Sequence, residues 1–272
     1  MLLYYAMGGG WGHMTRASIF ISQIGLFPSE CLVISPHPPN DAPPQNPDIT
    51  FLQIPNHLVD QPKRYHQWLT DLINHYDIQE IYLDSFPLGI IGEWTPFFQR
   101  KDLKFHYIAR LLNWEVYQTL GSPPLPQFEK TWIIEPLQAA QKDFIRANSH
   151  RVAEISLAYP APKPENAEKL MRHFSASSPI WLVVHSGPPQ ESEEIMLFAK
   201  RQMRLEKERP LLLVISPITP PPVLREQAFW FNYYPARDLY PRVGRIFTAA
   251  GFNSIQETRA FAQKHHCLPL FR

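Results

Sequence analysis

The sequence predicts an α/β protein of two Rossmann-like domains in tandem, and three observations carry that expectation. Short apolar runs of strand length alternate with longer segments of helical periodicity along the whole chain. The alternation breaks at the proline-rich stretch 159–164 and then begins again. Each half has a glycine turn between a strand and a helix, at 8–12 and at Gly251. At 272 residues the chain is long enough for both halves to bury cores of their own. We expect one domain over 1–158, a second over 159–272, and a cleft between them.

Taken in order, residues 2–7 read as a buried strand, 8–12 as the glycine turn, and the apolar residues after it as a helix. Strands follow at 31–35 and 49–54, then a helix over 60–75 with Tyr65, Trp68, Leu69, Leu72 and Ile73 on one face. A strand at 78–83 leads to Asp84-Ser85 and a helix over 88–98; strands at 104–109 and 132–135 and a helix over 137–146 complete the first half. The second half reads as a strand at 179–185, a turn at 186–190, a helix over 191–205, strands at 210–216 and 229–233, and a short helix at 237–243. A strand at 245–248, a helix over 252–263 and a strand at 266–270 close it. Strands that alternate with helices imply parallel sheets covered on both faces, joined by right-handed crossovers. The 29 prolines gather at 36–47, 123–126, 160–164 and 217–222, where they punctuate the pattern as loops.

Composition excludes several classes. With 26 basic and 25 acidic residues of interspersed sign the net charge is +1, and no basic stripe suggests a nucleic-acid partner. Cys31 and Cys267 fall in two expected buried strands far apart, which gives neither a disulfide framework nor a metal spacing, and a reducing, cytoplasmic location is the default. No apolar run approaches a membrane span and no signal peptide is written at the start, although peripheral contact with a membrane stays open.

The first glycine turn holds four glycines in five residues, Gly8, Gly9, Gly10 and Gly12. Such a turn lets a ligand approach the backbone while the N–H groups of the next helix face negative charge, which suits a diphosphate; it also occurs with no ligand at all. His13 and Arg16 sit in the first turn of that helix. A dinucleotide fingerprint would place a carboxylate roughly 20 residues on, at the end of the second strand, and a triphosphate loop would end in Gly-Lys-Ser/Thr. This chain has Ile34-Ser35-Pro36 and Gly12-His13-Met14-Thr15 instead. Asp84 and Ser85 stand at the carboxyl edge of a parallel strand, where such sheets bind ligands, or else Asp84 caps the helix at 88–98. In the second half Gly251 makes the turn, Asn253 and Ser254 can cap the helix while leaving N–H groups for a phosphate, and Glu257 either accepts ribose hydroxyls or closes a capping box from Ser254.

Together, the turn with Gly12-His13 and Arg16 and the stretch Ala250-Gly251-Phe252-Asn253-Ser254-Ile255-Gln256-Glu257 resemble the GT-B glycosyltransferases. The likeness is to the N-acetylglucosaminyltransferase of lipid II synthesis and to bacterial predicted glycosyltransferases, which carry a segment like Asp84-Ser85-Phe86-Pro87-Leu88-Gly89-Ile90-Ile91-Gly92-Glu93 after the fourth strand. The resemblance implies a C-terminal domain that binds a nucleoside diphosphate sugar, of the UDP type, with Glu257 on the ribose and Gly251, Asn253 and Ser254 at the diphosphate. Ser186 and Gly187 would border it, and the backbone at 232–235, Tyr234 included, would meet the base. The N-terminal turn and Asp84-Ser85 would meet an unspecified acceptor, with His13 as general base; neither a metal nor another cofactor is implied. This chain ends at 268–272, where the family continues into a sugar-reading segment and closing helices that are therefore expected to be lacking. Two alternatives remain: a nucleotide-sugar hydrolase, whose family carries Asp-His where this chain has Asp84-Ser85, and a nucleotide-binding relative without turnover.

Overall fold

A computed structural model describes residues 1–8, 11–36, 46–121, 124–174 and 178–270. The chain divides into two compact units, Met1–Ala158 and Tyr159–Arg272. In the first, β1 (Leu2–Tyr5), β2 (Cys31–Ser35), β3 (Thr50–Gln53), β4 (Glu80–Asp84), β5 (Lys104–Ala109), β6 (Phe128–Ile133) and β7 (Val152–Glu154) form one sheet in the order β3-β2-β1-β4-β5-β6-β7. Every pairing in it is parallel. The first unit's helices are α1 (Gly12–Gln23), α2 (Pro62–His75), α3 (Trp114–Tyr117) and α4 (Ala139–Ala147). Strands covered on both faces must be apolar along their length, and β1, β2 and most of β4 and β5 are buried. In α2, Tyr65, Leu69, Leu72 and Ile73 are buried at helical spacing, with Trp68 partly buried against the same core.

The second unit has α5 (Glu168–Met171), β8 (Ile180–Val184), α6 (Pro189–Glu206), β9 (Leu211–Ile215), α7 (Pro222–Arg225), β10 (Phe229–Phe231), β11 (Arg245–Ala249), α8 (Phe252–Thr258) and β12 (His265–Leu268). Its sheet is parallel throughout, in the order β10-β9-β8-β11-β12. Two clusters, one around Leu182, Leu213 and Leu239 and one around Trp181, Val214 and Phe247, form its core.

Several expectations change. No helix forms over 88–98: Gly89 and Gly92 have φ of +89° and +82°, outside helical space, and only a 3₁₀ turn at Thr95–Phe97 remains. Asp84 therefore caps nothing. The strand expected at 132–135 runs over Phe128–Ile133, and short, exposed β7 carries no pattern to announce it. The helix expected over 252–263 ends at Thr258 and continues as 3₁₀, because Phe261 leaves helical geometry (φ −122°, ψ 23°). The segment 237–243 belongs to a 3₁₀ stretch, Ala236–Arg242, with Pro241 inside it. Cys31 is buried, and burial pushes its thiol up to about 12, but Cys267 lies exposed on the last strand rather than inside it.

Candidate functional site

In each sheet the strand order reverses at one point, and the crevice outside the carboxyl ends of the strands there is where open α/β sheets bind ligands. In the first unit that point lies between β1 and β4, which pair in register from Leu2↔Glu80 to Tyr5↔Leu83. Beyond β1 the chain turns into α1; beyond Leu83 stands Asp84. His13 and Arg16, three residues apart on α1, share the face that meets it. Arg16 Nε donates to both Asp84 oxygens at 3.0 Å and Nη2 donates to Oδ2 at 2.6 Å. Nη2 also reaches Ser85 Oγ at 3.2 Å, and Ser85 Oγ donates to Asp84 Oδ1 at 3.2 Å. The Arg16 and Asp84 side chains are fully buried, and His13 is 14% exposed.

The electrostatics follow from that enclosure. Burial would raise the Asp84 carboxyl, but the Arg16 charge and the His13 contact outweigh it and hold it at about 2. Burial pulls His13 down to about 4, and the Arg16 charge adds to the pull against Asp84. Arg110, tied through Nε to Glu135 at 2.9 Å, pulls the same way. His13 is thus neutral near pH 7, and its tautomer is set by two rivals. Arg16 Nη2 lies 2.7 Å from Nδ1 and can only donate, which leaves the ring proton on Nε2. Asp84 Oδ2 lies 3.2 Å from the same Nδ1 and can only accept, which favours the tautomer with Nε2 free.

Local backbone supports the cluster. A Cβ on Gly8 would run into the His13 ring, so the turn must be glycine there. Gly12 is the first residue of α1 rather than part of the turn, while Gly9 and Gly10 lie outside the described residues. Ser85 holds a left-handed φ of +71°, fixed by Tyr107 donating to its carbonyl at 3.0 Å. Sequence reasoning missed Glu93, which takes the place of the absent helix: its buried carboxylate accepts from Tyr5 Oη, from Ile90 N–H at 3.1 Å and from Ile91 N–H at 2.9 Å, and so ties down the chain after Ser85. Gly89 faces this carboxylate at a distance no Cβ would fit. The glycines at 89 and 92 are the only signal that could have revealed it.

In the second unit the strand order reverses between β8 and β11. Ser186-Gly187 follows β8 and Gly251 follows β11, so both turns stand at that point; Tyr234 follows β10 at the sheet's edge. Gly251 is itself the N-cap of α8, with no side-chain cap bond, so Ser254 is not the capping residue and no Ser254–Glu257 box forms. Asn253 Oδ1 accepts from Tyr159 Oη at 2.6 Å. His185 Nε2 lies 2.8 Å from Glu191 Oε2 in the first turn of α6, and a Cβ on Gly187 would crowd both. That carboxylate already answers the α6 dipole, which makes the turn at 186–187 a poorer partner for phosphate than the one at 251. Burial raises the Glu257 carboxyl to about 7, with Arg237 and a hydrogen bond from Tyr240 holding it down. His265 bonds Thr248 Oγ1 at 2.9 Å and Thr258 Oγ1 at 2.8 Å, and His266 stacks on Phe247; both are structural. Among the described residues no three His, Cys, Asp or Glu side chains gather to hold a metal ion, and no helix is long and apolar enough to cross a membrane.

No protein-family model matches the chain, and no curated protein matches it in sequence. Solved structures match it in fold. The spinosyn rhamnosyltransferase SpnG complexed with thymidine diphosphate is 11% identical, with a TM-score of 0.55 over 100% of this chain and 81% of that one. Sucrose-phosphate synthase from Thermosynechococcus elongatus is 12% identical, with a TM-score of 0.56 over 95% and 79%. A co-structure of MnaA from S. aureus with UDP is 11% identical, with a TM-score of 0.51 over 92% and 74%. The chain thus has the GT-B fold of two Rossmann-like domains. Identities this low define the fold and leave the reaction to be argued from the sites.

Proposed function

We propose that this chain transfers a sugar from a nucleoside diphosphate sugar, of the UDP type, to an acceptor hydroxyl without a metal ion. The observation that carries the reading is the neutral His13 beside buried Asp84 at the strand-order reversal of the first sheet. In the tautomer with its ring proton on Nδ1 towards Asp84, His13 takes the acceptor's proton on Nε2 as the new bond to the sugar forms. The bond from the sugar to the diphosphate breaks with its electron pair on the leaving oxygen. Gly251, whose own N–H donates to Ala249 O at 2.8 Å, lets the diphosphate approach, and backbone N–H groups at Asn253 and Ser254 meet that charge, with Ser186 and Gly187 beside it. Glu257 accepts the ribose hydroxyls, and Tyr234 stands at the base. The motif likeness to the lipid II N-acetylglucosaminyltransferase belongs to this reading. Water in place of the acceptor would make it a hydrolase, and Ser85 following Asp84, where such hydrolases carry histidine, favours transfer.

The test is thermal stabilisation by UDP. UDP is expected to raise the melting temperature, and Glu257→Ala to remove the shift. Glu257, with Arg237 and Tyr240 as the groups that face it, ionises near pH 7, so as an acceptor it holds the ribose better at pH 8 than at pH 6. The UDP shift should therefore grow across that interval. No shift at either pH sinks the proposal, and a shift with no consumption of UDP-sugar leaves only a binding protein.

A further inference from the structure

Arg237 is buried at 7% exposure, yet its Nε and Nη1 have no hydrogen-bond partner. It lies in the 3₁₀ stretch Ala236–Arg242, which packs against α8. The neighbouring carboxylate, Asp238, is committed elsewhere, accepting from Lys163 N–H at 2.8 Å and Asn166 Nδ2 at 2.9 Å. Glu257 on α8 is the carboxylate that feels the Arg237 charge, but no ion pair joins them among the described residues. A guanidinium left unsatisfied inside a protein is costly, so such a group marks a place that a water, an ion or a ligand completes.

The chemistry of the missing group can be read from the pair. A phosphate placed at Arg237 would be repelled by Glu257, and a base carbonyl would bring Glu257 no donor beyond Tyr240. A hydroxyl satisfies both, since its oxygen accepts from the guanidinium while its proton goes to the carboxylate. Two adjacent hydroxyls use both sides of both groups. We propose that Arg237 is a nucleotide-binding residue that, together with Glu257, reads the vicinal diol of the ribose and so selects ribonucleotides over 2′-deoxyribonucleotides. The inference rests on the proposed donor-binding role of the second unit and adds to it a residue and a specificity.

Calorimetric titrations of UDP and dUDP into the wild-type chain, Arg237→Met and Arg237→Lys at pH 7.5 test it. The wild type should prefer UDP. Arg237→Met should lose about 10- to 100-fold in UDP affinity, as expected for hydrogen bonds to a charged group, and bind the two nucleotides alike. Its melting temperature without nucleotide should equal or exceed that of the wild type, because an apolar side chain replaces an unsatisfied buried cation. Arg237→Lys, which keeps the charge but not the fork, should fall between in discrimination. If Arg237→Met binds UDP as the wild type does, or melts well below it with discrimination intact, Arg237 is structural and the inference fails alone. If the wild type does not bind UDP, the donor-binding role fails with it.

Discussion

Replacing Asp84 with asparagine is expected to destabilise the first unit by about 3–5 kcal/mol, the usual cost of stranding one member of a buried ion pair. Arg16 has no exposure to solvent and places three donor contacts on this one carboxylate. Without its charge the guanidinium stays in the interior beside Arg110. Removing both charges, as in Arg16→Met with Asp84→Asn, should recover much of the loss. Urea unfolding of the two single variants and the double measures the coupling directly. Additive losses with no recovery would show that the pair is not what holds this crevice together. Acid works on the same cluster: His13 must charge as the chain unfolds, because its folded value is about 4 against 6.5, so stability declines as pH falls from 6.5 towards 4. Asp84 adds to the decline further down, its contribution present above 3.8 and lost as pH falls through about 2.

The second large effect concerns turnover. His13→Ala is expected to slow release of UDP from a UDP-sugar by about 10²- to 10⁴-fold, the range for a general base, while UDP affinity holds because the proposed nucleotide site belongs to the other unit. The pH profile should carry the same signature. A histidine held near 4 stays basic through neutral pH, so the acid limb belonging to this group falls near 4 rather than near 6.5. Equal turnover in the variant, or an acid limb that survives the substitution unchanged, removes His13 from the chemistry. Arg16→Met bears on the tautomer. It frees Nδ1 for Asp84, and the limb should move upward as a positive neighbour is lost.

The parts of the site that were legible in the sequence are those written locally. A glycine turn after an apolar strand, a histidine and an arginine one helical turn apart, and an aspartate at a strand end are short-range signals, and the parallel topology brings them to one place. What escaped depends on contacts distant in the chain. Glu93 matters because it meets Tyr5, 88 residues earlier, and in sequence it is an acidic residue in an apolar stretch. The sequence predicts a helix at 88–98, but two glycines at positive φ and that carboxylate's grip on Ile90 and Ile91 decide otherwise. Arg237 reads as the first residue of a short helix at 237–243, and its burial comes from the packing of that segment on distant parts of the chain, α8 among them. The box from Ser254 to Glu257 fits the sequence pattern, yet α8 starts two residues before Ser254 and Gly251 takes the cap.

The central claim is that the turn after β11 and the carboxylate of Glu257 hold a nucleoside diphosphate. A crystal structure of the chain soaked with UDP tests it most directly. The account predicts diphosphate density against the backbone of residues 251–254 and the ribose on Glu257 and Arg237. Saturating UDP that leaves this edge empty, or that binds there with the ribose away from Glu257, would contradict it.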